Sequence, residues 1–399
     1  MLPDKCHLLI AGCGITGLTI AYEFLQRGSE DIVIIEKEPS VGLHASGRNS
    51  GVLHAGIYYT PDTLKAKYCV DGNRLMKEFC RQRGLTLRES GKVVVAKNAD
   101  ELNAIHELKR RADSSGARAT VIDEKELREI EPCAATCGKA LYSPDTAVIN
   151  PNEILQALVS DLENSRRVKI FFGTEFRKIS GARHAVTSSG VIQFAKFINA
   201  AGAYADRIAH GFGLAGEYKI IPFKGTYKKL IKDRIFLVRG NIYPVPDLKN
   251  PFLGVHFTRS AENEVYVGPT AIPALGRENY GIFDGVGMEG FSILYRDAVL
   301  FLESASFRDS ALKEIRKYFK KFIYDEAVKL IPQLRMDDLE ASSKAGIRPQ
   351  LIHWPTRRLV MDFAVSADLD SVHVLNAVSP AFTSSMAFAK HIASLLQGQ

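Results

Sequence analysis

The sequence lacks several features that would assign it to other classes of protein. It has no run of about 18 uncharged apolar residues, so no segment is expected to cross a membrane. Its six cysteines form no zinc-binding pattern, since the C-x3-C pair Cys133 and Cys137 has no second ligand pair. We therefore predict no metal site, and we interpret the cysteines as ordinary thiols of a reducing compartment.

Signals for export and for nucleic-acid binding are also missing. The apolar residues His7–Ala11 already fit the first strand of a fold, so we expect no signal peptide and a cytoplasmic location. A peripheral contact with the inner membrane is left open. The net charge of +7 is diffuse, with no arginine-rich arm, and suits an anionic cofactor and substrate better than nucleic acid.

The composition is that of an ordinary globular protein. The chain has 399 residues, 46% of them hydrophobic and 24% charged, and this length allows two domains with separate cores. The sequence shows no repeat and no low-complexity segment. The composition therefore excludes a disordered or repetitive chain and directs attention to motifs.

The clearest motif lies at the N-terminus, in HLLIAGCGITGLTIAYEFLQRGSEDIVIIEKE. Leu8–Ala11 fits a buried strand, Leu18–Arg27 a helix and Ile32–Ile35 a second strand. Between the first strand and the helix, Gly12, Gly14 and Gly17 form G-x-G-x-x-G, the turn that brings a dinucleotide pyrophosphate to a helix N-terminus. The pattern predicts a dinucleotide-binding βαβ unit, with Ile15 and Thr16 inside the turn.

An acidic residue completes this signature. Glu36 ends the second strand, where a carboxylate can bond a ribose hydroxyl, and Lys37 follows it. Two later segments fit further contacts with a long FAD: a strand with a tight turn at Ala201 and Gly202, and the small-residue loop 376–383 before a C-terminal helix. These three pieces favour FAD over NAD.

Together these stretches resemble the FAD-dependent D-amino-acid-oxidase-like superfamily. The resemblance is sharpest to the L-2-hydroxyglutarate dehydrogenase/oxidase family. The matching stretches are HASGRNSGVLHAGIYYTPDTLKAKYCVDG, PFKGTYKKL, GNIYPVPDLKNPFLGVHFTR, KAGIRPQL and LNAVSPAFTSSMAFAKHIA. They span nearly the whole chain, and the block 240–259 is the most specific. Val378 departs from the family pattern in the flavin loop.

The resemblance implies an α/β fold with two parts. A Rossmann-like FAD-binding domain would consist of the discontinuous segments 1–75, 146–215 and 341–399. A mixed-sheet substrate domain, 76–145 and 216–340, would lie over the flavin. It also implies oxidation of L-2-hydroxyglutarate to 2-oxoglutarate, with electrons passing to a quinone or another acceptor. Non-covalent FAD is favoured over a covalent histidine link.

The flavin contacts are predicted from the loop after Glu36 and from the two later segments. In the loop, small donors and a cation follow the cofactor, and glycines allow a close approach. The predicted cofactor-binding residues beyond those already named are Ser46, Arg48, Asn49, Ser50, Gly51, Asn376, Ser379, Pro380 and Ala381.

The substrate carboxylates require cations. Arg348 in GIRPQ is the first candidate, because a guanidinium binds a carboxylate through two parallel hydrogen bonds. For a second carboxylate the candidates are Arg259 and Lys224. Strand alternation places His256 and Thr258 on one face and Arg259 on the other, which weighs against Arg259 if His256 faces the flavin.

The hydroxyl proton requires a base, and histidine is the natural choice near neutral pH. His54, in the loop RNSGVLHAGIYY that follows the nucleotide signature, is the leading candidate, and His256 is the rival. Tyr58 would lie on the reacting side with His54.

Two questions stay open at this level. Leu312–Leu330 fits an amphipathic helix pair, which serves either as a patch for anionic lipid or as an ordinary domain helix with a solvated basic face. The function has alternatives as well: a related oxidoreductase acting on an amino acid, an N-methyl amino acid or glycerol-3-phosphate, or a flavin-containing assembly factor without catalysis.

Overall fold

The protein is described here by a computed structural model that covers residues 1–246, 253–282 and 284–397. Contacts within the chain define two units. The first unit comprises Met1–Asn49, Pro151–Pro222 and Arg348–Gln399, and the second comprises Ser50–Asn150 and Phe223–Ile347. These bounds come from contacts alone, so the assignment of FAD binding and substrate binding to segments stays a prediction.

The strands of the described residues are short except for three that exceed nine residues. In chain order they are β1 (Lys5–Ala11), β2 (Ile32–Ile35), β3 (Val52–Leu53), β4 (Leu87–Arg88), β5 (Lys92–Val95), β6 (Thr120–Asp123), β7 (Lys139–Ser143), β8 (Ala147–Ile149), β9 (Val168–Phe171), β10 (Phe176–Ser180), β11 (His184–Thr187), β12 (Gly190–Asn199), β13 (Tyr218–Leu230), β14 (Asn241–Pro244), β15 (His256–Arg259), β16 (Val265–Gly268), β17 (Ile272–Pro273), β18 (Leu339–His353), β19 (Arg358–Leu359), β20 (Ala364–Ala367) and β21 (Ser371–Asn376).

The helices of the described residues alternate with these strands. They are α1 (Ile15–Gln26), α2 (Leu64–Arg83), α3 (Leu102–Ser115), α4 (Glu124–Ile130), α5 (Pro151–Asn164), α6 (Ala205–Gly211), α7 (Glu289–Glu303), α8 (Ala305–Ile315), α9 (Lys320–Ala327) and α10 (Ala381–Gln397). Short 3-10 helices occur at Ala99–Glu101, Gly202–Tyr204, Lys232–Leu237, Arg316–Tyr318, Met336–Asp338 and Trp354–Thr356.

The first unit is built on a sheet with a parallel centre. β9, β2, β1, β12 and β21 pair in parallel, while β10, β11 and β20 add antiparallel strands. In β1 and β2 every residue from Leu8 to Ala11 and from Ile32 to Ile35 is buried, because a parallel sheet is covered on both faces. The predicted Rossmann-like fold is confirmed.

The helix after the glycine turn begins earlier than the sequence predicted. α1 starts at Ile15, not at Leu18, so Gly17 lies inside its first turn. The reason is local: Ser46 Oγ accepts a hydrogen bond from the Ile15 N–H at 2.9 Å and so satisfies a backbone donor at the helix start. The early start places the glycine motif at the helix N-terminus.

The second unit contains a mixed sheet. Its strands run in the order β13, β16, β15, β14, β5, β7, β6, with β17 paired to β13 and β18 beyond β13. β14 pairs with β5 in parallel, whereas its other neighbour β15 is antiparallel. The apolar residues of 252–257 predict a strand, and Pro251 predicts a turn before it, whereas the observed strand begins at His256 and continues to Arg259. Phe252 and the predicted turn residue Pro251 lie outside the described residues.

Side-chain alternation gives the two faces of this sheet different characters. Val93, Val95, Ile242 and Phe257 point to one face and form an apolar core with α4 and α9 residues. Val94 and Tyr243 point to the other face and pack with Tyr58 and residues of α3. Strand periodicity thus assigns alternate residues of β5, β14 and β15 to a face that also carries polar side chains.

Two further expectations can be compared with the fold. None of the helices in residues 1–246, 253–282 and 284–397 combines the length and apolar character needed to cross a membrane. All six cysteines are described: Cys137 is exposed, Cys133 is partly exposed and the other four are buried.

Candidate active site

The three nucleotide-binding pieces of the sequence meet at one edge of the first unit's sheet. β1, β2, β12 and β21 are mutually parallel, so their carboxyl ends lie at the same edge. We call this the nucleotide edge, and it holds Gly12, Glu36, Ala201, Gly202 and Asn376. Ligands of parallel α/β sheets bind at such an edge.

The glycines of the motif are required by close backbone packing. Gly12 has φ +107°, and a Cβ there would lie 2.5 Å from the Ala200 carbonyl oxygen. A Cβ at Gly17 would collide with the Gly12 carbonyl oxygen. At Gly14 the nearest atom is Ser46 Oγ, at 3.0 Å. Only glycine at positions 12 and 17 lets the turn, the helix and the second nucleotide piece pack together.

The N-terminus of α1 supplies the electrostatics of this edge. Ile15 and Thr16 form the first turn of the 12-residue helix, directly after Gly14. The helix dipole and the N–H groups that follow Ile15 in this turn make this end favourable for an anion such as a pyrophosphate.

Glu36 is held in place by two backbone donors. Its Oε2 accepts the Cys13 N–H at 2.8 Å, and its Oε1 accepts the Glu38 N–H at 3.0 Å. A carboxylate has about four acceptor positions, so it can still accept ribose hydroxyls. Lys37 follows with its ammonium paired to Glu38 and 5.4 Å from the centre of the Tyr204 ring.

The loop that follows carries predicted flavin contacts in both units. Arg48 Nε donates to the Leu43 carbonyl at 2.6 Å, and Asn49 Nδ2 donates to the Ser46 carbonyl at 2.7 Å. Ser50 and Gly51 begin the second unit, where the Gly51 carbonyl accepts the Ile149 N–H at 2.8 Å. Hydrogen bonds to its own backbone thus shape this loop.

The second and third nucleotide pieces are fixed by buried asparagines. Asn199 Oδ1 accepts the Ala201 N–H at 3.2 Å, and its Nδ2 donates to the Ala205 carbonyl at 2.8 Å. Asn376 Nδ2 donates to the Asp362 carbonyl at 2.7 Å. Ser379 and Pro380 then lead into α10, whose first residue is Ala381. The predicted helix start at Ser384 was therefore three residues late.

The second unit gathers polar side chains on one face of its sheet. Lys92 of β5, Asn241 and Tyr243 of β14, and His256 and Thr258 of β15 alternate with the apolar core residues and are all buried. We call this set the polar face. The Tyr243 and His256 rings stack with their centres 3.9 Å apart, and the Lys92 Nζ lies 5.0 Å from the centre of the Tyr243 ring.

His54 lies in a loop whose backbone is anchored by α2. Asn73 Nδ2 donates to the His54 carbonyl at 3.1 Å and to the Asp145 carbonyl at 3.1 Å, and Cys69 Sγ donates to the His54 carbonyl at 3.4 Å. Gly56 has φ +89° and packs on Val70. The loop is therefore positioned by buried contacts and not by solvent.

The electrostatics around His54 favour its neutral form. Burial, the charge of Lys92 and the charge of His256 hold the pKa of His54 well below its usual value. A neutral imidazole can accept a proton at neutral pH. Burial and neighbouring Tyr243 raise the pKa of Tyr58, so its phenol keeps its proton and can donate a hydrogen bond.

His256 has a defined tautomer. Its Nδ1 lies 2.8 Å from the Gly254 carbonyl oxygen, which only accepts hydrogen bonds, so Nδ1 carries the proton. Nε2 of the neutral ring then carries the lone pair. His256 is thus chemically able to act as a base, and both predicted candidates lie in the same part of the second unit.

The three predicted cations are placed differently. Arg348 lies half-buried on β18 in the part that belongs to the first unit. Arg259 NH1 donates to the Val238 carbonyl at 3.0 Å, on the face opposite His256, as strand alternation predicted. Lys224 is buried and its Nζ donates to the Gly281 carbonyl at 2.5 Å and to Asn279 Oδ1 at 3.3 Å.

Two residues of the site were missed from the sequence. Lys92 and Tyr243 were not among the predicted site residues, although Lys92 lies near His54 and Tyr243 stacks on His256. For Lys92 a signal existed: it is the single charged residue of the strand KVVV, which is buried throughout. For Tyr243 no local signal distinguishes a site aromatic from a core aromatic.

Comparison with known proteins shows the family of the chain. Residues 7–395 match the family model described as FAD dependent oxidoreductase, so the chain belongs to that family. The L-2-hydroxyglutarate dehydrogenases of Caenorhabditis elegans and Homo sapiens are 36% and 31% identical to it, over 98% of this chain and 93% and 88% of theirs. At this identity over nearly the full length, the chain is a member of the L-2-hydroxyglutarate dehydrogenase family.

A solved structure supports the fold in the same way. The L-alpha-glycerophosphate oxidase of Mycoplasma pneumoniae, solved with FAD bound, aligns with a TM-score of 0.79. The alignment covers 99% of this chain and 95% of that one at 22% identity. This likeness confirms the predicted fold class.

The residues of the nucleotide edge fit FAD, on which the family depends. The glycine turn has no room for side chains, and the helix N-terminus offers donors to a pyrophosphate. Glu36 keeps acceptor positions for a ribose, as the chemistry of that group requires. Ile15, Thr16, Glu36 and the Ala201–Gly202 turn are the residues that would hold the dinucleotide.

Proposed function

We propose that this protein oxidises L-2-hydroxyglutarate to 2-oxoglutarate with FAD as its cofactor. The observation that carries this proposal is the near full-length similarity to L-2-hydroxyglutarate dehydrogenases. The surroundings of His54 support it, because this histidine with a lowered pKa lies near Lys92 of the polar face and near Tyr58, which keeps its proton. Such a set can take up a hydroxyl proton and bind an anion.

FAD, when bound, supplies the redox chemistry by accepting the hydride from C2 of the substrate at its N5. The protein's part is to hold the substrate and to accept the hydroxyl proton. We propose that FAD is held non-covalently by the nucleotide edge, the loop residues Arg48–Gly51 and the segment 376–381. Acid precipitation should then release the flavin into the supernatant, whereas a covalent link would retain it in the pellet.

His54 is the proposed base. Its lowered pKa keeps the imidazole neutral at working pH, and the anchoring of its backbone by Asn73 and Cys69 fixes its position. His256 is the second candidate, with its lone pair on Nε2. Tyr58 would donate a hydrogen bond to the substrate.

Arg348 is proposed to bind the carboxylate next to the reacting carbon. Its side chain is half-buried, and a guanidinium offers the planar donor pair that fits a carboxylate. For the second carboxylate, Arg259 and Lys224 stay predictions, and each already donates a hydrogen bond to a backbone carbonyl.

The electrons are proposed to leave through a quinone or another acceptor, at a peripheral contact with a membrane. The observation in favour is the face of α7, where Phe291, Tyr295 and Leu302 are 73%, 65% and 76% exposed. Tyr318 and Phe319, near the lysines of α9, are also exposed. Exposed apolar groups beside basic residues suit anionic lipid. Sedimentation with anionic and with neutral vesicles tests this.

The first experiment is anaerobic bleaching of the flavin absorbance by L-2-hydroxyglutarate and by its D-enantiomer. Rapid bleaching by the L form alone is expected. If neither form bleaches the flavin, the proposed reaction is wrong. Glycerol-3-phosphate, amino acids and N-methyl amino acids would then be tested, and an assembly factor would remain if none of them bleached it.

A further inference from the structure

Lys92 is a charged residue of the second unit that is buried without a hydrogen-bond partner for its Nζ among the described residues. Its side chain is 1% exposed. Buried ammonium groups normally have a hydrogen-bond partner, because removing an uncompensated charge from water costs roughly several kcal/mol. Its visible contacts are the rings of Tyr58 and Tyr243, 4.3 and 5.0 Å from Nζ.

Neighbouring polar atoms share this property. Within the described residues, Tyr58 Oη, Thr258 Oγ1 and Asn241 Oδ1 are also buried without a hydrogen-bond partner. Asn241 pairs with Thr258 in the sheet, and Lys92 stands one residue before the partner of Ile242. Since buried polar atoms in folded proteins are nearly always bonded, four such atoms around one face indicate a ligand site.

Three of the four atoms, all except the acceptor Asn241 Oδ1, can donate hydrogen bonds and therefore favour an anion with hydrogen-bond acceptors. Lys92 donates as an ammonium, and Tyr58 and Thr258 donate through hydroxyls. A carboxylate has enough acceptor positions for all three. The other two candidate cations differ, because Lys224 and Arg259 already donate to the carbonyls of Gly281 and Val238.

On this basis, and resting on the proposed function, we propose that Lys92 Nζ binds the second carboxylate of the hydroxy dicarboxylate substrate. Tyr58 and Thr258 hydroxyls would complete the contact. The lysine then determines specificity, because it increases the affinity for a substrate with two carboxylates relative to one whose chain ends in a methyl group. Burial lowers the pKa of Lys92 to about 7, so in the free protein the side chain can lose its proton and avoid a buried charge. When the carboxylate binds, Lys92 takes up the proton again.

The test compares two substrates that differ only in that carboxylate. L-2-hydroxyglutarate and L-2-hydroxybutyrate are used to reduce the flavin anaerobically in the wild-type protein and in Lys92→Met. We expect the apparent Kd for L-2-hydroxyglutarate to rise about 100-fold, since one partner of a buried charge contact is lost. The apparent Kd for L-2-hydroxybutyrate should stay the same. Equal losses on both substrates, or no loss on either, would overturn the proposal.

Two matched variants serve as controls for Lys92→Met. Lys344→Met removes another lysine of the second unit that lies over a tyrosine, with Nζ 4.2 Å from the Tyr266 ring centre, and should leave both substrates unaffected. Lys92→Arg keeps the charge and should recover part of the affinity. Near-ultraviolet circular dichroism and flavin content show whether each variant is folded, and the Kd ratio between substrates is read only from folded variants.

Binding of glutarate separates this inference from the proposed function. Glutarate has both carboxylates but no hydroxyl, so calorimetry measures its binding without any oxidation. If L-2-hydroxyglutarate fails to reduce the wild-type flavin, the proposed function is wrong. Loss of glutarate binding in Lys92→Met, with butyrate as the comparison, supports the role of Lys92 even then. Equal glutarate affinity in both proteins rejects it.

Discussion

The nucleotide edge of the first unit and the polar face of the second unit treat their polar groups in opposite ways. At the nucleotide edge, Glu36, Asn199 and Asn376 each bond to backbone groups of the same unit. On the polar face, Lys92 and Thr258 are buried without a hydrogen-bond partner among the described residues. In the first region the polar side chains are held by hydrogen bonds to backbone groups of the same unit. In the second region, donors without a hydrogen-bond partner remain for a ligand.

The largest expected effect breaks the nucleotide edge. In Gly17→Val the new side chain would collide with the Gly12 carbonyl, so the turn and α1 could not both keep their positions. We expect purified protein without flavin and with a lower melting temperature. Gly28→Ala is the control, because a Cβ at Gly28 meets nothing within 4 Å, although its φ of +83° carries a small strain. Retention of flavin by Gly17→Val would remove the glycine turn from the cofactor site.

The next effect concerns the base. His54→Ala should slow flavin reduction by about 10²- to 10⁴-fold, the usual contribution of a general base, while the flavin stays bound. Stopped-flow absorbance measures the rate under anaerobic conditions. His256→Ala is the matched comparison from the same region. If His256→Ala is slow and His54→Ala is fast, the base is His256.

A smaller loss is expected for the carboxylate contact of the first unit. Arg348→Ala should raise KM and lower the rate of flavin reduction, by about 2–3 kcal/mol in total if the pairing is through two hydrogen bonds. Steady-state kinetics with L-2-hydroxyglutarate and L-2-hydroxybutyrate should show the same loss, because both share that carboxylate. A loss confined to one substrate would contradict this assignment.

The smallest effect is a pH dependence of stability that comes from the polar face. Lys92 has a pKa of about 7 when folded and an ordinary value of 10.5, so between these values the unfolded chain binds more protons. Stability therefore rises with pH across that window, by up to about 1.4 kcal/mol per pH unit. Below pH 7 the cost is constant.

Urea unfolding of the wild-type protein and Lys92→Met, at pH 7.5 and at pH 8.5, measures this term. The groups that interact with Lys92 are His54, Tyr58, Cys69 and Tyr243, and they are common to both proteins. The difference between the two proteins should shrink as the pH rises. A constant difference would mean that Lys92 titrates like an exposed lysine.

The same comparison explains what could be predicted from the sequence. The nucleotide edge was recognised because Gly12, Gly17 and Glu36 stand at spacings that the backbone of one βαβ unit imposes. The polar face was recognised only in part. His54 and His256 were predicted because histidine is the natural base near neutral pH. Lys92 and Tyr243 come close to these histidines only through the pairing of β5 with β14 and the stacking of Tyr243 on His256. The spacing of residues within one segment does not predict which distant strands pair with each other.

Boundaries were the other source of error. α1 and α10 both begin three residues before the predicted starts, since small residues and a proline precede the apolar pattern that marked the helix. Among the described residues the strand predicted over 252–257 begins only at His256, because Leu253 and Val255 are apolar like strand residues but precede the strand.

The exposed thiol of Cys137 has a practical consequence for watching the site at work. Cys6, Cys13, Cys69 and Cys80 are buried, and Cys133 is only partly exposed. The Cys137 N–H donates at 2.7 Å to the carbonyl of Ala96, the residue that follows β5. A maleimide dye should therefore attach preferentially at the end of the strand that carries Lys92, so that ligand binding could be followed by fluorescence without engineering a new attachment point.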